Sequence, residues 1–118
     1  MENVKNAIGN IKISHDVVAA VTKNATLEVD GVDSVSPGNI GIKSLLTRTN
    51  YIRPIKIDIH EGVAHIQVSI IVDAAKRIPD LANAVQLNVK NAVQNMTGLT
   101  VSGVDVIITG ITQVKFAD

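Results

Sequence analysis

Residues 55–68, IKIDIHEGVAHIQV, constrain the fold more than any other stretch of this 118-residue chain. With a two-residue turn at Glu61 and Gly62, Ile59 faces Ala64, Ile57 faces Ile66 and Ile55 faces Val68, all on one side. The other side pairs Asp58 with His65 and Lys56 with Gln67. One register therefore sorts both strands into an apolar and a polar face, and a one-residue slip scrambles it. The apolar face continues through Ile70 and Val72. Such a sheet needs a cover on one face only.

Two helices are written to supply that cover. Ser14 reads as an N-cap, with Asp16 in the first turn where the helix dipole favours negative charge. Val17, Val21 and Ala25, joined by Val18 and Leu27, form an apolar stripe on a helix over about residues 15–28. Asp30 and Gly31 end it, and VDSV (32–35) makes a short strand. Ahead of this helix, Ile11 and Ile13 alternate with Lys12 as a short edge strand would. Pro79 suits the first position of a second helix. There Leu81, Val85, Val89, Ala92, Val93 and Met96 recur at helical spacing, and Gly98 fits a left-handed cap. In the last strand Leu99 and Val101 share one parity, while Val104, Val106 and Ile108 share the other. The phase breaks at Ser102 and Gly103, which predicts a bulge. Residues 36–54 are the least regular, with one helical turn expected over 42–46.

Composition narrows the function classes. Apolar residues make up 46% of the chain, yet Tyr51 and Phe116 are its only aromatics. Aromatic anchors dominate binding hot spots and base-stacking platforms, so their scarcity argues against both. Eleven basic residues balance eleven acidic ones, so no net field steers a polyanion. The absence of cysteine excludes disulfides, thiolate catalysis and Cys-based zinc sites. MENVKNAIGNIKIS contains no apolar signal-peptide core, and no run reaches the roughly 18 apolar residues of a membrane span. The expectation is a cytoplasmic protein without a transmembrane segment, in which the Asn24 and Asn95 glycosylation triplets are coincidental.

No catalytic residue, cofactor-binding residue or metal ligand emerges from the motifs. His60 and His65 are diagonal neighbours on the polar face beside Asp58, but an open sheet face lacks the closure of a built metal site. The simpler reading is an Asp58–His65 cross-strand pair. GNIG (38–41) shares the G-x-x-G form of nucleotide-clamping loops but follows a strand and lacks their basic residues. The feature that remains is charge. Lys43, Arg48, Arg53 and Lys56 stand within residues 34–57, which contain no acid, and this leaves the rest of the chain at about −4. Four dispersed charges are too few for tight nucleic-acid binding. They suit an acidic protein surface or anionic headgroups, against the alternative of a solvated loop.

Three stretches, taken in order, resemble a known family. They are ISHDVVAAVTKNATLEVDGVDSV (13–35), the hairpin IKIDIHEGVAHIQVSIIVD (55–73), and IPDLANAVQLNVKNAVQNMTGLTVSGVDVIITGI (78–111). The likeness is to the alkaline-shock and general-stress proteins of Gram-positive bacteria, also called the envelope stress response family. It implies a cytoplasmic non-enzyme of cell-envelope homeostasis, held at the inner membrane face by a membrane-anchored partner. An alternative from the same family is an accessory subunit of a lipid-metabolism enzyme. The family supplies no catalytic motif to carry over.

The expected architecture is α+β: two helices packed on one face of a small three- to four-stranded mixed β-sheet. It spans residues 11–113 as a single domain, between a flexible N-terminus (1–10) and a tail (114–118). The other face is expected to be largely polar with Ile71 and Ile107 exposed, as suits self-association or a protein partner. The candidate partner contacts are Lys43, Arg48, Arg53, Lys56, Ile71 and Ile107.

Overall fold

The computed structural model describes residues 11–37, 53–73 and 75–112. Its elements are α1 (His15–Leu27), β1 (Val32–Val35), β2 (Ile55–His60), β3 (Val63–Asp73), α2 (Ile78–Thr97) and β4 (Thr100–Thr112). Every hairpin pair expected from the sequence is present, from Ile55 opposite Val68 to His60 opposite Val63. Glu61 and Gly62 both take positive φ, 51° and 81°. This is the backbone a two-residue hairpin loop needs to match strand twist.

β3 is the central strand. β4 runs parallel along one edge, and β2 and β1 run antiparallel along the other. β2 pairs with the first part of β3 and β1 with the last part, so they lie end to end on a shared edge. Ser69 marks their junction: its N–H donates to the Pro54 carbonyl (2.8 Å), and its carbonyl accepts from the Ser36 N–H (2.9 Å). The sheet is mixed, and α2 forms the crossover between the parallel strands β3 and β4. Ile11 and Ile13 belong to no strand.

Both helices cover the apolar face, α1 over β1 and β2, α2 over β4, side by side. Ala64, Ile66, Val68, Ile70 and Val72 are fully buried beneath them. Each buried Val or Ile contributes about 1.5–3 kcal/mol relative to exposure. Among the described residues the core consists of Val, Ile, Leu and Ala, with no aromatic side chain.

Each helix departs from its expected stripe. In α1 the buried residues are Val18, Thr22, Ala25 and Thr26, whereas Val17 and Leu27 are exposed. The Thr26 hydroxyl donates to the Thr22 carbonyl at 2.7 Å, so its polar atom is satisfied and its methyl faces the core. Threonine thus serves as an apolar residue here, and the stripe rotates to include it. Ser14 caps α1 as expected, its Oγ accepting the Val17 N–H. In α2, Leu81, Val85, Val89 and Val93 are buried, but Met96 is 73% exposed. Past Gly98, in the left-handed conformation, Leu99 returns to pack against the core in its place. The N-cap is Arg77, which puts Pro79 at the second helical position.

The α1–β1 turn fits against the start of α2. Gly31 has φ +105°, and a Cβ there would lie 2.5 Å from Leu81 Cδ1 and 2.7 Å from Lys76 Cγ. Its carbonyl accepts the Asp73 N–H at 2.8 Å, and beside it Lys76 Nζ meets Asp30 Oδ2 at 2.8 Å. The hydrogen bond and then the opposite charge lower the Asp30 pKa and raise that of Lys76. Both ends are exposed, so the closeness of the backbone matters more than the ion pair. Gly31→Ala is expected to cost about 1–3 kcal/mol, through overpacking and the positive φ. Urea denaturation checks this; a loss under about 0.5 kcal/mol, the range of neutral surface changes, would show that the turn relaxes freely.

Candidate functional site

Because both helices lie on one side, the other side of the sheet carries no helix or strand among the described residues. Strand alternation sends Lys56, Asp58 and His60 of β2 to this open face. From β3 it sends His65, Gln67, Ser69 and Ile71, and from β4 Asp105 and Ile107. Ile107 lies opposite Ser69 and is 40% exposed. Ile71 lies opposite Gly110, where an added Cβ would come 3.4 Å from Ile71 Cγ1. The Ile71 side chain therefore rests across the glycine and is half-buried. Lys56 and Arg53 are exposed, Arg53 just ahead of β2. The structure thus brings Lys56, Ile71 and Ile107 onto one face and puts Arg53 beside the strand that carries Lys56. Lys43, Arg48, the GNIG loop and the expected turn over 42–46 lie outside the described residues.

The expected Asp58–His65 pair needs correction. The two residues are opposite in the ladder, but the His65 ring turns the other way, toward β4. Its Nε2 lies 2.8 Å from Asp105 Oδ2 and its Nδ1 3.4 Å from Ser102 Oγ. Gly103 makes this turn feasible, since a Cβ there would stand 3.0 Å from the ring's Cε1. Ser, His and Asp are the residue types of a hydrolytic triad, but the serine contact is too long for a good hydrogen bond. Ser102 Oγ also lies 3.3 Å from the Ala64 carbonyl. The arrangement ties β4 to β3. Among the described residues no three His, Cys, Asp or Glu side chains are grouped to hold a metal ion.

β4 carries two bulges against β3, where the expected phase break revealed one. The register shifts between Ala64 and His65, and again between Ile70 and Ile71. At each shift the extra residue on β4 has a hydroxyl that donates to a β3 carbonyl. Ser102 Oγ reaches Ala64 O at 3.3 Å, and Thr109 Oγ1 lies 3.1 Å from Ile70 O and 2.9 Å from Ser36 O. The signal was in the sequence as Ser-Gly-Val at 102–104 and Thr-Gly-Ile at 109–111.

The outer edge of β4 was not legible in the sequence. Its first part is covered by α2: the Val101 N–H donates to Gln94 Oε1 and Gln86 Nε2 donates to the Val104 carbonyl, both at 3.0 Å. An open groove of about 520 Å³ runs beside it, lined by Leu87 and Lys90 among others. Beyond Val104 no such cover exists among the described residues.

This α-β-β-β-α-β order, with a parallel last strand, places the chain in a known class of α+β domains. Solved structures of the MamM CTD share the fold. A copper form superposes with a TM-score of 0.51 at 15% identity, covering 82% of this chain and 98% of that one. Another MamM CTD gives 0.51 and 15%, over 82% and 99%. At that identity the likeness is one of fold alone. The family is defined by sequence: the model of the ASP23 family, with cell envelope-related function, matches residues 3–113, and the chain belongs to this family. Two Bacillus subtilis (strain 168) proteins are similar throughout. YqhY is 28% identical over 113 residues, 94% of this chain and 83% of its own length. YloU is 29% identical over 106 residues, 87% and 88% respectively. No described helix is long and apolar enough to cross a membrane.

Ser102→Ala and Thr109→Val are each expected to cost about 0.5–1.5 kcal/mol, the net worth of one hydrogen bond. The losses should add to within about 0.5 kcal/mol in the double variant, because the two ties share no partner. Denaturant titrations of the three variants check this, and two neutral single variants would show that the ladder alone sets both bulges.

Proposed function

We propose that the protein is a non-enzymatic interaction protein of the cell-envelope stress response. It acts through a membrane-anchored protein partner at the inner face of the membrane, and through association with copies of itself. The observation that carries this reading is the one-sided sheet in a chain of an envelope-related family. The helices take one face, and the other presents Lys56, Ile71 and exposed Ile107 with Arg53 nearby. Apolar side chains flanked by cations suit an acidic protein surface, where charge governs encounter and orientation and the isoleucines supply buried area. Lys43 and Arg48 belong to the same acid-free stretch and extend the proposed contact. The protein needs no membrane span, since its partner supplies one.

Charge reversal tests the contact. Arg53→Glu with Lys56→Glu should leave the melting temperature within about 2 °C, because both side chains are exposed and neutral surface changes are worth about 0.5 kcal/mol or less. The variant should lose recruitment to membranes prepared from cells of the native host. Recruitment of the parent should weaken as salt is raised from about 0.05 to 0.5 M, through the screening range of exposed charges. Undiminished recruitment of a folded double variant would remove these cations from the contact.

A further inference from the structure

The uncovered part of the β4 edge has a definite polarity. In a strand, residues whose side chains share a face also direct their backbone N–H and C=O toward the same edge. On β4 the Val101 N–H and the Val104 carbonyl point away from β3, toward the glutamines of α2. Val106 and Ile108 have the same core-facing parity as Val104, so their backbone groups also point outward. Neither has a hydrogen-bond partner there among the described residues. Proteins ordinarily guard such an edge with charge, proline or a covering element. From Val106 to Thr112 this one has no charged residue and no proline. The side chain between the two outward-facing residues is Ile107, 40% exposed on the open face.

We propose that residues 105–109 of β4 pair antiparallel with the same residues of a second copy, about a two-fold axis at Ile107. This rests on the self-association in the proposed function and names its surface. In this register Val106 of each copy exchanges both backbone hydrogen bonds with Ile108 of the other, and all four outward N–H and C=O pairs become satisfied. Ile107 faces Ile107 across the axis as a close, non-hydrogen-bonded pair. The nearest charge, Asp105, lies opposite Thr109 of the other copy, so the two carboxylates do not oppose each other. A two-fold contact of this kind is closed and self-complementary. It joins two sheets into one, with all four helices on the same face and the two open faces continuous. The glutamines of α2 set the limit of the pairing, because they already occupy the edge at Val101 and Val104.

The chain has no cysteine, so Ile107→Cys introduces a single thiol. The register puts the two Cα atoms about 4.5 Å apart, within the range of about 4.4–6.8 Å that a disulfide spans. Mild oxidation of the full chain should convert this variant to a covalent dimer, and leave Met96→Cys, an exposed position on α2, monomeric. Ile107→Lys sets two ammonium groups face to face. Sedimentation equilibrium should show its association displaced to concentrations at least about tenfold higher than the parent's, since directly opposed like charges disfavour pairing. A parent that associates while Ile107→Lys associates equally well would overturn the edge contact and leave self-association standing. A parent that stays monomeric would overturn both. Equal cross-linking of the two cysteine variants would also overturn the register.

Discussion

The structure depends on one strand held along both edges. β3 receives β4 on one side and the end-to-end pair β2 and β1 on the other, and its core-facing residues from Ala64 to Val72 are fully buried under both helices. Nearly every other feature is positioned by reference to it. The hairpin fixes β2, and Ser69 fixes where β1 ends and β2 begins. The two bulges fix how β4 follows, each pinned by a hydroxyl to a β3 carbonyl. A strand paired on both edges and packed on one face loses most if a single residue slips, because all of its side chains change sides together.

How much of this was legible in the sequence follows from the range of each interaction. The hairpin pairs residues a few positions apart, and its alternation admits only one register. The cap at Ser14 and the stop at Gly98 are equally local. The stripes were harder to read because Thr22 and Thr26 count as polar by residue type; both are buried, Thr26 with its hydroxyl on the Thr22 carbonyl and Thr22 with its Oγ1 unpartnered among the described residues. The first β4 bulge showed itself because Val104, Val106 and Ile108 follow it in the new phase. The second, at Thr109, is followed by only three further residues of the strand, too few to display a change of parity.

The candidate site shows the same division. The placing of Lys56, Ile71 and Ile107 on one face follows from alternation. The partner of His65 does not, because it depends on which strand lies beyond β3, in which direction, and on Gly103 leaving room for the ring. Asp58 is adjacent through a local turn, whereas Asp105 is brought in by a crossover through α2, and the longer connection won. The outer edge of β4 was hidden for the same reason. Its guard consists of two glutamines on α2, which in sequence read only as the polar side of an amphipathic helix.

A domain organised around β3, with one covered face and one open face, keeps its buried core apart from the surface on which contacts are proposed. Native-state hydrogen exchange tests the central place of β3 most directly. The amides from Ala64 to Val72 should be the slowest in the protein and exchange only through global unfolding, at the free energy that denaturant titration gives, because they are bonded along both edges. The contradicting result is β3 amides that exchange by local opening, as fast as those of α1.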